Sequence, residues 1–527
     1  MNEASAELER AYNALPYLSD AFPQAHPDRM ATIATLLGLD PAHPNRCRVL
    51  EVGCAAGGNL IPMAYNLPGS EFVGIDLAAR HIDEGNAIIG ELGLANVRLI
   101  HQDLSTVGAE LGEFDYIIAH GVWSWVPREV REALFALCRA RLQPHGVAYI
   151  SYNVLPGYHM FQMVRGMMQF HTRDLDDALE EVASARDFIG TLAAALDDDN
   201  YYGSFIKGYH NARLAPGGSR HPGDSGIAHD ELASINDPVY FWQFMERAQD
   251  HGLQYLGEAR FDSMFPKNTT PELEGWLGDH ARSIVDYEQY LDFVGNRGFR
   301  ETLLCRDDLA VSRRLNPERI RRLRVTTGAR PAEAEPDIAD TSIVRFESIS
   351  GAKFSSDHPL TKAAMLVLSR AAPRAVPVSE LEDAAAGMLG QSAASVEDAS
   401  LLASNLTKAY SYSSELVSFS VFQPPILLEV TERPLASRLA RLQVAHGRAT
   451  VTSLRHERVN LDRLDAEILS RLDGAHDMEA IVDGVVADLV AEEPLPEGAD
   501  PGEARQQITT AVGQRLRGLM FAGLLEG

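Results

Sequence analysis

The sequence predicts an α/β fold, a Rossmann-like parallel sheet carrying a helical insert and followed by smaller α+β, winged-helix-like domains. Three observations predict it. From Arg48 to Asn153, short apolar runs alternate with helix-like segments, the pattern of buried parallel strands covered by crossover helices. The run "RVLEVGCAAGGNLIPMA", Arg48 to Ala64, breaks into glycines and alanines where a first strand would turn into a helix. The segment "TTGARPAEAEPDIAD", Thr326 to Asp340, is rich in proline, alanine and acidic residues without apolar periodicity, as linkers between folding units are.

Taken in order, "RVLEV", "EFVGID", "VRLIHQD", "FDYIIAH" and "GVAYISYN" read as five strands within a core domain, 1–155. Between 156 and 250 the strand pattern lapses into helical stretches such as "DALEEVASARDFIGTLAAAL", then the irregular "YHNARLAPGGSRHPGDSG", which together predict a helical insert or lid. Within 251–310, "LQYLGEARF" and "FRETLLCR" are expected to finish the sheet. A connector and linker should occupy 311–340. A middle winged-helix-like domain is expected over 341–433, with helices at "HPLTKAAMLVLSR" and "VSELEDAAAGML" and strands in "SELVSFSVFQPPILLEV". A helix-rich C-terminal domain, 434–527, closes with the amphipathic "QRLRGLMFAGLL". On this division the tail beyond Thr341 is separable, so its removal should leave ligand binding by the core largely intact.

Composition bounds the class. A chain of 527 residues at 45% hydrophobic can bury several cores, and domains of about 100 to 200 residues suggest two to four of them. The formal charge of -27, from 47 basic and 74 acidic side chains, repels phosphate backbones and disfavours nucleic acid as a partner. Cys47, Cys54, Cys138 and Cys305 show no C-x-x-C spacing, which argues against a disulfide framework or a zinc site and fits a reducing cytoplasm. "MNEASAELER" lacks the features of a signal peptide, and no apolar segment approaches the roughly 18 residues of a membrane span. A cytoplasmic location is therefore the expectation; a homodimer is among the expected partners.

A strand ending in Glu51 and passing through Gly53, Ala55, Gly57 and Gly58 lets a ligand approach the main chain where side chains would collide. Neither G-x-G-x-x-G nor a Gly-Lys-Ser/Thr ending is present, which favours a ligand without phosphates. Asp76 closes the second strand where it can accept ribose hydroxyls, and Asp103 closes the third near an adenine position. These strand ends form one crevice.

The constellation resembles class I S-adenosylmethionine-dependent methyltransferases, whose first strand ends E/D-x-G-x-G-x-G and whose next two strands end in acids; here Ala55 replaces the middle glycine. The segments "LPYLSDAFPQAHPDRMATIATLLGL", "AHGVWSWVP", "SYNVLPGYHM" and "LQYLGEARF" further resemble the bacterial, rickettsial-type protein lysine methyltransferases, which carry a methyltransferase regulatory region. That resemblance runs from about Tyr12 to Arg306 and more weakly through the tail. It implies S-adenosyl-L-methionine as cofactor and a lysine side chain of a protein as acceptor. The expected cofactor-binding set is Tyr17, Ser19, Glu51, Gly53, Cys54, Ala55, Gly57, Asn59, Asp76, Gln102, Asp103, Leu104 and His120. Related enzymes fold the N-terminal segment holding Tyr17, Ser19 and His26 over the cofactor.

Methyl transfer from a sulfonium is an in-line displacement, so the protein must align the nucleophile, exclude water and present it unprotonated. A lysine amine, with an ordinary pKa near 10.4, calls for an aromatic, desolvating pocket with a few acceptors. Trp123 and Trp125 after the fourth strand, and Tyr152, Asn153, Tyr158 and His159 after the fifth, fit that description. Because the two tryptophans lie two apart, one can face the site while the other packs inside. The candidate catalytic set is His120, Trp123, Tyr152, Asn153 and Tyr158, with His120 in a positional role. His229, Asp230 and Glu231, being adjacent, read as a helix start rather than a metal cluster, and no metal is expected. Two other functions remain open. The acceptor can be a small-molecule carboxylate or amine in a closed pocket beside a cation such as Arg165 or Arg173. Alternatively, the protein is a cofactor-binding regulatory module acting through its tail, where "VNLDRLDAEILSRLDGAHDMEAIVD" resembles winged-helix peptide-binding modules.

Overall fold

The computed structural model describes residues 19–215, 223–267, 269–314, 316–492 and 500–526. Seven strands form the central sheet: β1 (Arg48–Val52), β2 (Glu71–Asp76), β3 (Val97–His101), β4 (Phe114–Ala119), β5 (Leu142–Asn153), β6 (Leu253–Glu258) and β7 (Phe299–Arg306). Their order is β3-β2-β1-β4-β5-β7-β6. The first five run parallel, whereas β7 is antiparallel to both β5 and β6. Parallel pairing forces each return over a face of the sheet; the helices Leu60–Asn66, Ala79–Leu92 and Arg128–Arg141 make three of the four, and the return from β3 to β4 runs through the short 3-10 turns Leu104–Thr106 and Ala109–Leu111. The central strands are apolar on both faces in consequence, as the full burial of Val49, Leu50, Ile117 and Ile118 shows. Strand order reverses between β1 and β4, so the carboxyl ends on either side of that gap splay into a crevice.

The insert between β5 and β6 contains the helices His159–Thr172, Ala178–Ala195 and Tyr201–Tyr209, which enclose a small core around Val164, Met168, Ile189 and Ile206. Within the stretch expected to be irregular, His210–Leu214 forms a π-helical turn and 216–222 lie outside the described residues; a second such turn spans Ile227–Glu231.

Within the expected linker, 326–340, only Thr326 and Arg330–Pro331 lie in strands. Arg324–Thr326 pairs between Val376–Pro377 and Ser418–Ser420, and Arg330–Pro331 pairs with Val344–Glu347. Lys362, fully buried, donates to the carbonyls of Asp337 (3.0 Å), Asp340 (2.8 Å) and Ser342 (3.0 Å). One ammonium thereby satisfies a segment that has few apolar residues with which to fold itself. Of "SELVSFSVFQPPILLEV" only Ser418–Ser420 is a strand, because Pro424 and Pro425 have no N–H to donate to a ladder. An additional helix, Val396–Tyr412, packs in the middle region.

The middle region shares its core with the sheet. One continuous core runs from Met30 and Ile33 through the sheet to Leu366, Leu402 and Tyr410. The Asp28 carboxylate accepts from the Val421 and Phe422 amides (2.8 and 2.9 Å), and Arg29 donates to the Tyr410 hydroxyl (2.9 Å). The C-terminal region has its own core around Ile468, Ile481, Val485 and Leu516. All four cysteines are buried thiols. Among the described residues no helix is long and apolar enough to cross a membrane.

Candidate active site

A cavity of about 690 Å³ lies at the carboxyl ends of β1 to β5, where the strand order reverses. After β1 the chain takes positive φ at Gly53 (+70°), Ala55 (+45°) and Gly57 (+74°). The Gly53 and Cys54 amides both donate to the Ile75 carbonyl (2.8 and 3.1 Å), pinning the turn to β2. A Cβ on Gly53 would lie 2.6 Å from Val122, and one on Gly58 would run into the Ser19 carbonyl. Ala55 tolerates its left-handed conformation because its amide is held by Asp76 Oδ2 at 2.8 Å.

Asp76 also accepts from the Ala78 amide through Oδ1 (2.8 Å), so two backbone donors fix its carboxylate on the rim. Asp103 caps the short helix Leu104–Thr106, accepting from the Ser105 amide (2.9 Å) and hydroxyl (2.7 Å). Glu51 is nearly inaccessible: Oε1 accepts from Asn59 Nδ2 at 2.7 Å, whereas Oε2 has no hydrogen-bond partner among the described residues. Burial pushes its carboxyl up to about 8, opposed by the Asn59 bond.

Residues 19–22 form a strap across this turn. Ser19 Oγ accepts from the Gly58 amide (2.7 Å), the Phe22 amide donates to Asn59 Oδ1 (2.9 Å), and the Phe22 ring stacks on His120 at 3.7 Å. His120 Nδ1 lies 2.8 Å from the Tyr149 hydroxyl, which donates to Glu301 Oε1 at 3.0 Å. Burial, and then the charge of Arg458, lowers the His120 pKa to about 4, so the ring is neutral near pH 7. His26 does not line the cavity; its Nδ1 accepts from the Asp28 amide and caps the helix Pro27–Leu36.

Ser19, Glu51, Gly53, Cys54, Ala55, Asn59, Asp76, Gln102, Asp103, Leu104 and His120 all line the cavity, as do Asn153 and Tyr158. Tyr17 lies outside the described residues. Gly57 does not line it: a Cβ there would meet Ile61 at 2.9 Å, so this glycine serves helix-to-sheet packing.

Two expected catalytic residues are turned away. Trp123 is fully buried against Phe135, Tyr152 and Phe244, and the Tyr152 ring stacks on Phe244 at 3.9 Å with its hydroxyl 3.0 Å from Thr302 Oγ1. The 3-10 turn Trp123–Trp125 sends the two tryptophans to different sides, and Trp125 takes the cavity wall, with the Arg165 guanidinium 5.6 Å from its ring. His159 is exposed, beside Gln162.

The distal wall comes from places the sequence reading missed. The insert contributes Phe161, Arg213, Asp230 and Glu231, and the approach to β7 adds Asn296 and Phe299. The π-helical turn Ile227–Glu231, expected as an ordinary helix start, carries Asp230 and Glu231 to the cavity. Arg213 pairs with Glu231 at 2.6 Å and lies 3.9 Å from Asp230. Neither cation expected beside a small acceptor lines the cavity: Arg165 lies behind its wall, donating to the Asp230 and Ala233 carbonyls beside Trp125, and Arg173 lies over Phe170. Tyr158 accepts from Asn236 (2.9 Å), and burial pushes its phenol up to about 12. Asn153 Nδ2 is buried with no partner among the described residues. Among the described residues no group of three or more His, Cys, Asp or Glu could hold a metal ion.

Residues 49–146 match the family model of a methyltransferase domain, 223–306 that of a predicted methyltransferase regulatory domain, and 432–524 that of a PKMT C-terminal winged helix domain. An uncharacterized protein of Rickettsia prowazekii is 30% identical over 482 residues, covering 90% of this chain and 85% of that protein. The chain belongs to this rickettsial-type family of class I methyltransferases. A second uncharacterized R. prowazekii protein is 32% identical over 247 residues, 47% of this chain and 96% of its own. The solved structure of PKMT2 from Rickettsia typhi superposes with a TM-score of 0.85 at 26% identity, covering 97% of the methyltransferase and 100% of PKMT2, and it is also known in complex with AdoHcy. S-adenosyl-L-methionine is accordingly the cofactor of this methyltransferase. The cavity suits it: Glu51 Oε2 awaits a donor, Asp76 is fixed on the rim, and Gly53 leaves the main chain open.

Proposed function

We propose that this methyltransferase methylates lysine side-chain amines of a protein. The carrying observation is the distal wall, where the rings of Trp125, Tyr158, Phe161 and Phe299 meet the carboxylates of Asp230 and Glu231. Rings and carboxylates together draw in a cation, and the apolar surfaces then favour its neutral, nucleophilic form. The resemblance to protein lysine methyltransferases and the similarity to PKMT2 support the same acceptor.

The remaining assignments follow from position. Glu51 receives the cofactor's ammonium group, Asp76 the ribose hydroxyls, and Gln102, Asp103 and Leu104 surround the adenine. When bound, S-adenosyl-L-methionine supplies a methyl group activated by a sulfonium. Asn153 and Tyr158 orient the incoming amine, and Asp230 accepts its proton before attack. His120, neutral and stacked on Phe22, holds the strap in register. The cavity volume is within the roughly 300–1,000 Å³ of ligand sites.

A small carboxylate acceptor is favoured by one observation, Arg213 on the cavity wall. Arg213 is already matched by Glu231, so it does not offer a carboxylate acceptor an uncompensated cation. The test is transfer of labelled methyl from S-adenosyl-L-methionine into an extract of the source organism. Methyl-lysine in hydrolysed protein is the expected product; label confined to small-molecule esters would overturn the proposal.

A further inference from the structure

We infer that the C-terminal winged helix domain completes the cofactor site, with Arg448, Arg458 and His456 as positioning residues. This rests on the reading that the cofactor occupies the cavity at the β1–β4 gap. The strap at residues 19–22 is held from the cavity side by Gly58, Asn59 and His120, and from the opposite side by residues more than 420 positions away in sequence. Arg448 donates to the Asp20 carboxylate and to the Ser19 carbonyl (3.3 Å), and Arg458 approaches the other Asp20 oxygen at 3.4 Å. Ser19 and Asp20 both line the cavity.

Between the paired segments Thr450–Thr452 and Arg458–Asn460, the turn carries His456 inward in a left-handed conformation (φ +62°). His456 is buried, its ring 5.1 Å from that of His26 and its Nε2 2.8 Å from Asn59 Oδ1. Asn59 spends its amide N–H on Glu51 and accepts the Phe22 amide on Oδ1, so His456 must be the donor and its Nε2 carries the proton. A chain of hydrogen bonds therefore runs from the wing through Asn59 to the buried carboxylate that faces the cofactor. The same hairpin brings Arg458 near His120, where its charge adds to the burial that lowers the ring's pKa. A lone surface ion pair contributes little, but two guanidiniums converging on one carboxylate and its neighbouring carbonyl fix the direction of a main-chain segment.

The test uses the full chain with R448A and R458A combined. AdoHcy affinity measured by calorimetry should fall about tenfold, the size expected for a lost charge-assisted contact. The KM for S-adenosyl-L-methionine should rise by a similar factor with a much smaller change in kcat, and R448K with R458K should recover most of the loss. Raising salt should weaken the parent protein but not the double variant. Should the double variant lose its native melting transition, Asp20→Asn reads the same clamp without touching the winged helix domain. Full AdoHcy affinity in the folded double variant, or in Asp20→Asn, overturns the inference. Asp76→Ala separates the two readings: if it weakens binding while the clamp variants do not, the inference fails alone, whereas unchanged binding in Asp76→Ala as well places the cofactor elsewhere.

Discussion

Glu51 shows how a cofactor site stores a cost in the empty protein. Its carboxyl is raised to about 8 by burial from an ordinary value near 4.5. The stability tied to its protonated form is fully present below about pH 4.5 and is lost as pH rises through about 8, because the unfolded chain releases the proton first. Glu51→Gln should therefore raise the urea midpoint more at pH 8 than at pH 5 while weakening AdoHcy binding. An equal gain at both pH values would mean that Glu51 is solvated in solution. Asp76 carries the complementary expectation. Its carboxylate is preorganised by the Ala55 and Ala78 amides, so Asp76→Ala should cost about 1.5–3 kcal/mol of AdoHcy binding, roughly tenfold to a hundredfold by calorimetry.

The 3-10 turn after β4 separates packing from function within three residues. Trp123 fills the space between the Arg128–Arg141 helix and Phe244, and Trp125 faces the cavity. Trp123→Ala should lower stability by about 3–5 kcal/mol through the void it leaves, read as a shifted denaturant midpoint. Trp125→Ala should leave that midpoint nearly unchanged and instead reduce methyl transfer. The opposite pattern would mean that the turn presents its other face to the acceptor. The π-helical turns of the insert work similarly, since a widened turn reorients Arg213, Asp230 and Glu231 relative to the regular helices that flank them.

At the scale of the whole molecule, the middle and C-terminal regions are seated on the methyltransferase sheet. Half-buried Asp28 accepts from the Val421 and Phe422 amides, and Asn66 donates to the Leu454 carbonyl at 3.3 Å. Deleting Thr341 to Gly527 would expose the shared core and leave Asp28 without those donors. The truncated chain is expected to lose its cooperative melting transition and to bind AdoHcy at least tenfold more weakly, rather than retaining the site as the sequence alone suggested. Native melting with full AdoHcy affinity after truncation would show that the sheet folds and binds unaided.

What the sequence determined by itself is local. The seven strands, the glycine-rich turn and the acids closing β2 and β3 are legible because apolar runs, positive φ and short-range spacing are properties of a few neighbouring residues. The family resemblance added the cofactor on the same evidence. Only the tertiary structure decided which tryptophan faces the cavity, that Lys362 binds the carbonyls of an apparent linker, that Asp230 and Glu231 reach the cavity, and that His456 backs it through Asn59. Those outcomes depend on which distant groups satisfy one another's buried charges and hydrogen bonds. A pairing such as Asn59 with His456, separated by 397 positions, leaves no periodicity or composition along the chain from which it could be read.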